Sequence, residues 1–149
     1  TKDNTKTKTG IVIPLPKQAI DSINELIGLS ESSKWLLPAR KAQDRRLPHI
    51  CESTLNVALK KVLNAMPEGM EPFTIHDFRR TARTHIESLG FPPHIGERCI
   101  NHKIKGVEGV YNRYDYFDER AKALQALANF IESCEGDVGF NVIPFKQKA

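Results

Sequence analysis

The sequence predicts a mainly α-helical domain with a small antiparallel β-sheet. Several stretches repeat apolar side chains at helical spacing, and one short β-branched run, Ile11-Val12-Ile13 ahead of Pro14, reads as a strand. Length supplies the third observation: 149 residues can bury one real core but not two independent ones, so a single domain is expected.

Residues 1–9, rich in Lys and Thr, form a polar tail ahead of the strand, which opens the sheet. From Lys17 to Ile27 the set Ala19, Ile20, Ile23, Leu26 and Ile27 marks a helix, with Gly28 placed to stop it. Trp35 to Pro38 reads as a short buried segment. Ala39 to His49 holds Arg40, Lys41, Arg45 and Arg46, has no convincing period and contains Pro48, so it reads as a loop. A second helix runs from about Ser53 to Met66, with Leu55, Ala58, Leu59, Val62 and Leu63 as its inward stripe, and Pro67, Gly69 and Pro72 end it.

Thr74 can cap the next helix, with Asp77 returning the bond to the cap amide, and that helix should end at Gly90. Phe78 and Ala82 are expected to face its packed side. Pro92 and Pro93 suit the start of a short helix leading to His102. A turn with Gly106 and Gly109 precedes Tyr111. The last helix, about Asp118 to Ser133, should pack Ala121, Leu124, Leu127, Ala128 and Ile131. The tail from Gly136 to Ala149 carries an apolar cluster, Val142, Ile143 and Phe145, suited to docking on a neighbouring protomer.

No run approaches the roughly 20 apolar residues of a membrane span, and the polar start lacks the apolar core of a signal peptide. A soluble, cytoplasmic protein with no membrane partner is expected. Cys51, Cys99 and Cys134 are odd in number and widely spaced, which favours reduced thiols over a disulfide framework. The net charge of +4 favours a polyanionic partner, and Lys34, Arg40, Lys41, Arg45, Arg46, Lys60 and Lys61 crowd a region with only Asp44 and Glu52 as acids. A solvated basic loop explains that crowding equally well. No glycine-rich phosphate loop or internal repeat occurs, so Walker-type nucleotide hydrolysis has no support.

Two segments could carry chemistry. In the first, His76-Asp77-Phe78-Arg79-Arg80-Thr81-Ala82-Arg83, His76 and Arg79 lie three apart, share a helix face and could reach one phosphate. A surface helix with a basic face is the plainer explanation. In the second, Ile100-Asn101-His102 is followed nine residues later by Tyr111-Asn112-Arg113-Tyr114. Cys99 and His102 make half a metal site without a second pair, so no metal is expected. Tyr111, Tyr114 and Tyr116 cannot be ranked as nucleophiles by spacing alone.

Taken together, His-x-x-Arg-Arg-Thr, a histidine 23 residues past Arg79 and a tyrosine nine residues further resemble the tyrosine recombinases of the phage integrase family. Gly90, Glu97-Arg98 and Tyr-Asn-Arg-Tyr-Asp-Tyr extend the likeness, toward integrases of satellite phages and genomic islands, over roughly residues 5 to 134. The resemblance implies the DNA breaking-rejoining catalytic fold in a bacterial or phage-encoded protein. It makes Tyr111 the nucleophile, with Arg79, His76 and His102 around the scissile phosphate and Tyr114 and Tyr116 as secondary candidates. It also implies a general-acid lysine on a β-hairpin, Lys6 by spacing, with Lys8 as the rival on the same strand face. Arg80, Arg83, Lys41, Arg45, Arg46 and Lys103 are expected to contact DNA.

The family's other arginine, from a helix upstream of the hairpin, has no counterpart because the first arginine here is Arg40. The chain is therefore expected to be an N-terminally truncated catalytic domain, lacking the arm-binding and core-binding domains and weak or inactive alone. The expected activity is site-specific recombination through a 3′-phosphotyrosine, with no cofactor. The expected partners are double-stranded attachment sites, other integrase protomers in a tetramer on DNA, and accessory DNA-bending proteins. A non-catalytic DNA-binding module and a type IB topoisomerase are the alternatives.

Overall fold

The structure is a computed structural model, and it describes residues 12–30, 33–39, 47–51, 53–67, 69, 71–102 and 114–136. Among these residues lie five helices: α1 (Lys17–Leu29), α2 (Ser53–Ala65), α3 (Ile75–Ser88), α4 (Pro93–Cys99) and α5 (Phe117–Glu135). The fold is mainly helical, as expected. No named strand occurs among the described residues, and Val12 to Pro16 carry no regular structure. Most of the expected hairpin, with Lys6 and Lys8, lies outside the described residues.

The residues fall into two compact units, one within Gln18–Arg80 and the other comprising the chain up to Lys17 and from Thr81 onward. The second unit holds the buried core. Ile86 from α3, Ile95 from α4 and Ala123 from α5 are almost fully enclosed, and Phe91, Cys99, Tyr116, Leu124 and Leu127 pack against them. Gly96 of α4 is buried against α3, where a Cβ would make ordinary contact at 3.6 Å with Arg83 Cγ and 3.7 Å with Ile86 Cγ2. On α5 the expected Leu124 and Leu127 pack against this core, Ile131 is half exposed, and the fully buried residues are Arg120 and Ala123.

Arg120 is 1% exposed and fully engaged. Its Nε donates to the Asp115 carbonyl at 2.9 Å, Nη2 to Asp115 Oδ2 at 2.5 Å and Nη1 to the Val12 carbonyl at 3.0 Å, while its guanidinium lies 5.8 Å from the Phe117 ring centre. A buried guanidinium persists only with such partners. One side chain thus joins the stretch ahead of α1 to the stretch ahead of α5.

The ends of α3 and α4 are built alike. At the end of α3, the Gly90 amide bonds to the Glu87 carbonyl and the Phe91 amide to the Ile86 carbonyl, with Gly90 at φ 89°. At the end of α4, the Asn101 amide bonds to Arg98 and the His102 amide to Glu97, with Asn101 at φ 54°. Both are Schellman motifs, in which a left-handed residue lets two amides fold back onto the last turn. Gly90 meets the expectation for α3, and Pro92 and Pro93 start α4 as expected.

In the unit of residues 18–80, sequence expectation fares less well. Helix α1 continues through Gly28 to Leu29, and Ser30 closes it by donating its hydroxyl to the Ile27 carbonyl at 2.8 Å. Neither α1 nor α2 has a buried residue, so the expected inward stripe of α2 is not enclosed: Leu55 and Val62 are each 52% exposed. Trp35, Leu36 and Leu37 are exposed rather than buried; Trp35 instead stacks on His49 at 4.6 Å. Pro38 and His49 form an antiparallel bridge, and Lys41, Arg45 and Arg46 of the expected basic loop lie outside the described residues.

Candidate functional site

Helix α3 begins as its sequence requires. Asp77 Oδ2 accepts from the Thr74 amide at 2.9 Å and from the Thr74 hydroxyl at 2.8 Å, so the carboxylate returns the bond to the cap. The backbone hydrogen bond from Thr74, then its hydroxyl, with Arg80 beside it, hold the Asp77 carboxyl below its ordinary range despite some desolvation. Arg80 pairs with Asp77 at 3.2 Å and is largely exposed. Phe78, expected to pack, is half exposed and meets Phe73 edge-on at 5.5 Å.

His76 and Arg79, one helical step apart, are exposed and line the same groove between α2 and the start of α3, about 870 Å³ in volume. Leu55, Leu59, Leu63 and Phe73 make its apolar wall, and Lys60 adds a third basic group. The two residues expected to grip one phosphate therefore share one open surface with a further cation. That arrangement suits an anion with extended apolar or sugar-like surroundings.

His102 sits in the other unit, immediately after the left-handed Asn101 that ends α4. Its Nδ1 is 2.8 Å from Glu97 Oε2, and Glu97 Oε1 accepts from Arg83 Nε at 2.5 Å. Arg83 Nη2 also lies 2.9 Å from Glu87 Oε1. Partial burial pushes the Glu97 carboxyl up, but the hydrogen bonds from His102 and Arg83, with their charges, outweigh it and hold the group below its ordinary range. Arg83, expected to contact DNA, is thus engaged by two carboxylates of its own unit.

Glu97 and Arg120 were not singled out by chemistry in the sequence. The readable sign for Glu97 was Asn101, a residue that tolerates the left-handed conformation, standing four residues after an α4 position whose side chain it brings back to His102. Arg120 had no such sign, because an arginine on an apolar helix reads as surface.

Tyr116 occupies a left-handed backbone position at φ 53° and caps α5. Its ring packs against the core, meets His94 at a tilt at 5.0 Å and Tyr114 edge-on at 4.8 Å, and has Arg98 5.9 Å from its centre. Tyr114 is 62% exposed. Burial pushes the Cys99 thiol up to about 11 against the opposing charge of Arg120, so Cys99 stays a neutral packing group. Tyr111, Lys6 and Lys103 lie outside the described residues, as does the tail from residue 137. Among the described residues no helix is long and apolar enough to cross a membrane.

Residues 3–116 match the model of the phage integrase family. The chain is 26% identical over 125 residues to prophage integrase IntA of Escherichia coli K12, covering 83% of this chain and 28% of that protein. It is 28% identical over 130 residues to prophage integrase IntZ of the same strain, covering 86% of this chain and 30% of IntZ. It is 27% identical over 123 residues to the integrase of Shigella phage Sf6, covering 81% of this chain and 30% of that one. The chain thus spans about 30% of the length of these curated relatives. No solved structure matches it. With most of its length matched, including the His76-x-x-Arg79 helix and the His102 to Tyr111 stretch, the chain belongs to the phage integrase family of tyrosine recombinases.

Proposed function

We propose that this chain is the catalytic domain of a site-specific DNA recombinase that integrates or excises phage or genomic-island DNA through a 3′-phosphotyrosine. The observation that carries the reading is the joint placement of His76 and Arg79 on one open basic groove, within a chain whose family match runs from residue 3 to 116. Attack by the Tyr111 hydroxyl forms the Tyr–O–P bond and breaks the bond from phosphorus to the 5′ oxygen. The departing oxygen takes its proton from Lys6.

A free phenol titrates near 10, so only about one in a thousand is ionised at neutral pH and neighbouring cations must help. Arg79, His76 and His102 would stabilise charge spread over the non-bridging oxygens without a metal ion. Arginine suits that task because it is planar and permanently charged. The phosphate energy stays in the tyrosyl ester, so a 5′ hydroxyl of another strand reverses the step and completes exchange without a nucleotide cofactor. Arg80, Lys41, Arg45, Arg46 and Lys103 would hold the duplex, Arg83 acting only if it leaves its two carboxylates, and a tetramer on paired attachment sites with DNA-bending accessory proteins would be the working assembly.

The upstream arginine of the family would come from the part of a full-length recombinase that precedes these residues, and losing it should cost roughly 3 to 4 kcal/mol of transition-state stabilisation. The test uses a full-length protein bearing this domain and a nicked suicide substrate. Wild type becomes covalently trapped; Tyr111→Phe forms no adduct while binding DNA with nearly unchanged affinity. An adduct that persists in Tyr111→Phe moves the nucleophile to Tyr114 or Tyr116, and no adduct in wild type favours a DNA-binding module. Relaxation of supercoils without a specific site would favour a type IB topoisomerase.

A further inference from the structure

The polar end of α4 carries more than a helix stop. A Schellman motif brings the side chain three positions before the cap beside the one two positions after it, and an apolar contact usually fills that place. Here the place is filled by a carboxylate and an imidazole, Glu97 and His102, bonded through side chains at 2.8 Å and through backbone at 2.9 Å. Glu97 is itself gripped by Arg83 from α3. An ionised carboxylate only accepts hydrogen bonds, so His102 Nδ1 must carry the proton in that contact. Nε2 is then the nitrogen left for substrate, on a ring whose side chain is 49% exposed.

From this geometry we infer that Glu97 is a positioning residue, which with Arg83 behind it fixes the ring of His102 and its Nδ1 proton so that Nε2 meets the scissile phosphate. The inference rests on the reading of His102 as a phosphate-facing group. When His102 is protonated, Nε2 donates to a non-bridging oxygen while Nδ1 keeps its bond to the Glu97 carboxylate. Arg83 and Glu87 from α3 and Glu97 from α4 are the charged groups bonded into this chain of contacts. Arg83 thereby serves the site through Glu97 and not through DNA.

The experiment compares Glu97→Ala, Glu97→Gln and His102→Ala in the full-length protein on a nicked suicide substrate. Glu97→Ala should slow covalent cleavage roughly 10- to 100-fold, the range expected for losing a hydrogen bond to a charged group, with DNA affinity within about twofold of wild type. Glu97→Gln, which keeps an acceptor of the same shape, should recover part of the rate and stands in if the alanine variant does not fold. Nitrogen-resolved NMR of the His102 ring should find the proton on Nδ1 in wild type and shifted toward Nε2 in Glu97→Ala. Wild-type rate in both Glu97 variants, with His102→Ala defective, would overturn the inference. A His102→Ala variant that cleaves like wild type would instead remove the phosphate-facing reading. An unchanged ring signature in Glu97→Ala would overturn the positioning whichever way the rates fall.

Discussion

Two helix ends with the same backbone hydrogen bonds do opposite jobs. At the end of α3, Ile86 is buried and Phe91 packs against the cluster containing it, so the motif turns the chain into the core. At the end of α4, Glu97 and His102 hold one another with the imidazole half exposed, so the same motif turns the chain outward and fixes a polar ring. The backbone device sets where two side chains meet, and their chemistry decides whether the meeting builds stability or presents a reactive group.

The sharpest way to break the comparison is to truncate the inner side chain at each end. Ile86→Ala should cost about 2 to 5 kcal/mol in urea unfolding, because a fully enclosed methyl-rich side chain leaves a cavity. Glu97→Ala should cost on the order of 1 kcal/mol, since its partners are partly exposed and water can replace it. Equal losses at the two positions would show that the polar end is as structural as the apolar one.

A smaller difference is expected at the left-handed residues. Gly90→Ala places a Cβ at φ 89° and should destabilise by about 1 to 2 kcal/mol. Asn101→Gly, at φ 54°, should change stability by only about 0.5 kcal/mol, because asparagine already tolerates that conformation and glycine fits it freely. Thermal unfolding of the two variants measures both.

The smallest effect is on acid response. The folded Glu97 carboxyl titrates below its ordinary range, so between the folded and unfolded values the unfolded chain binds more protons. The contribution of the α4 end is complete above the ordinary value of about 4.3 and fades as pH falls through the lowered one. The Ile86 and Phe91 side chains that meet at the other end do not titrate. Amide signals of His102 should therefore move below about pH 4 while those of Phe91 hold until global unfolding. Parallel movement of both would sink the distinction.

These contrasts also explain what the sequence made legible. Gly90, the prolines at 92 and 93 and the Thr74–Asp77 cap are local signals, each needing only its neighbours, and each meets its expectation in the structure. The stripe of α2 follows helical period too, but period says which residues share a face and not whether another element covers it; Leu55 and Val62 are half exposed. Glu97 and Arg120 depend on partners that only folding supplies: Arg83 is 14 residues from Glu97, and Val12 is 108 from Arg120. Of the expected site, His76, Arg79 and His102 lie among the described residues and Tyr111 and Lys6 outside them, and the roles of all five stand on the family pattern.

The enclosed guanidinium of Arg120 has a mechanical consequence. It clasps a carbonyl just ahead of α1 and both the carbonyl and the carboxylate of Asp115, four positions after Tyr111. The backbone at Val12 and the backbone at Asp115 are therefore held to one guanidinium, far apart in sequence but sharing one anchor. Fraying at one of these stretches loosens its counterpart, so the two come undone as a pair.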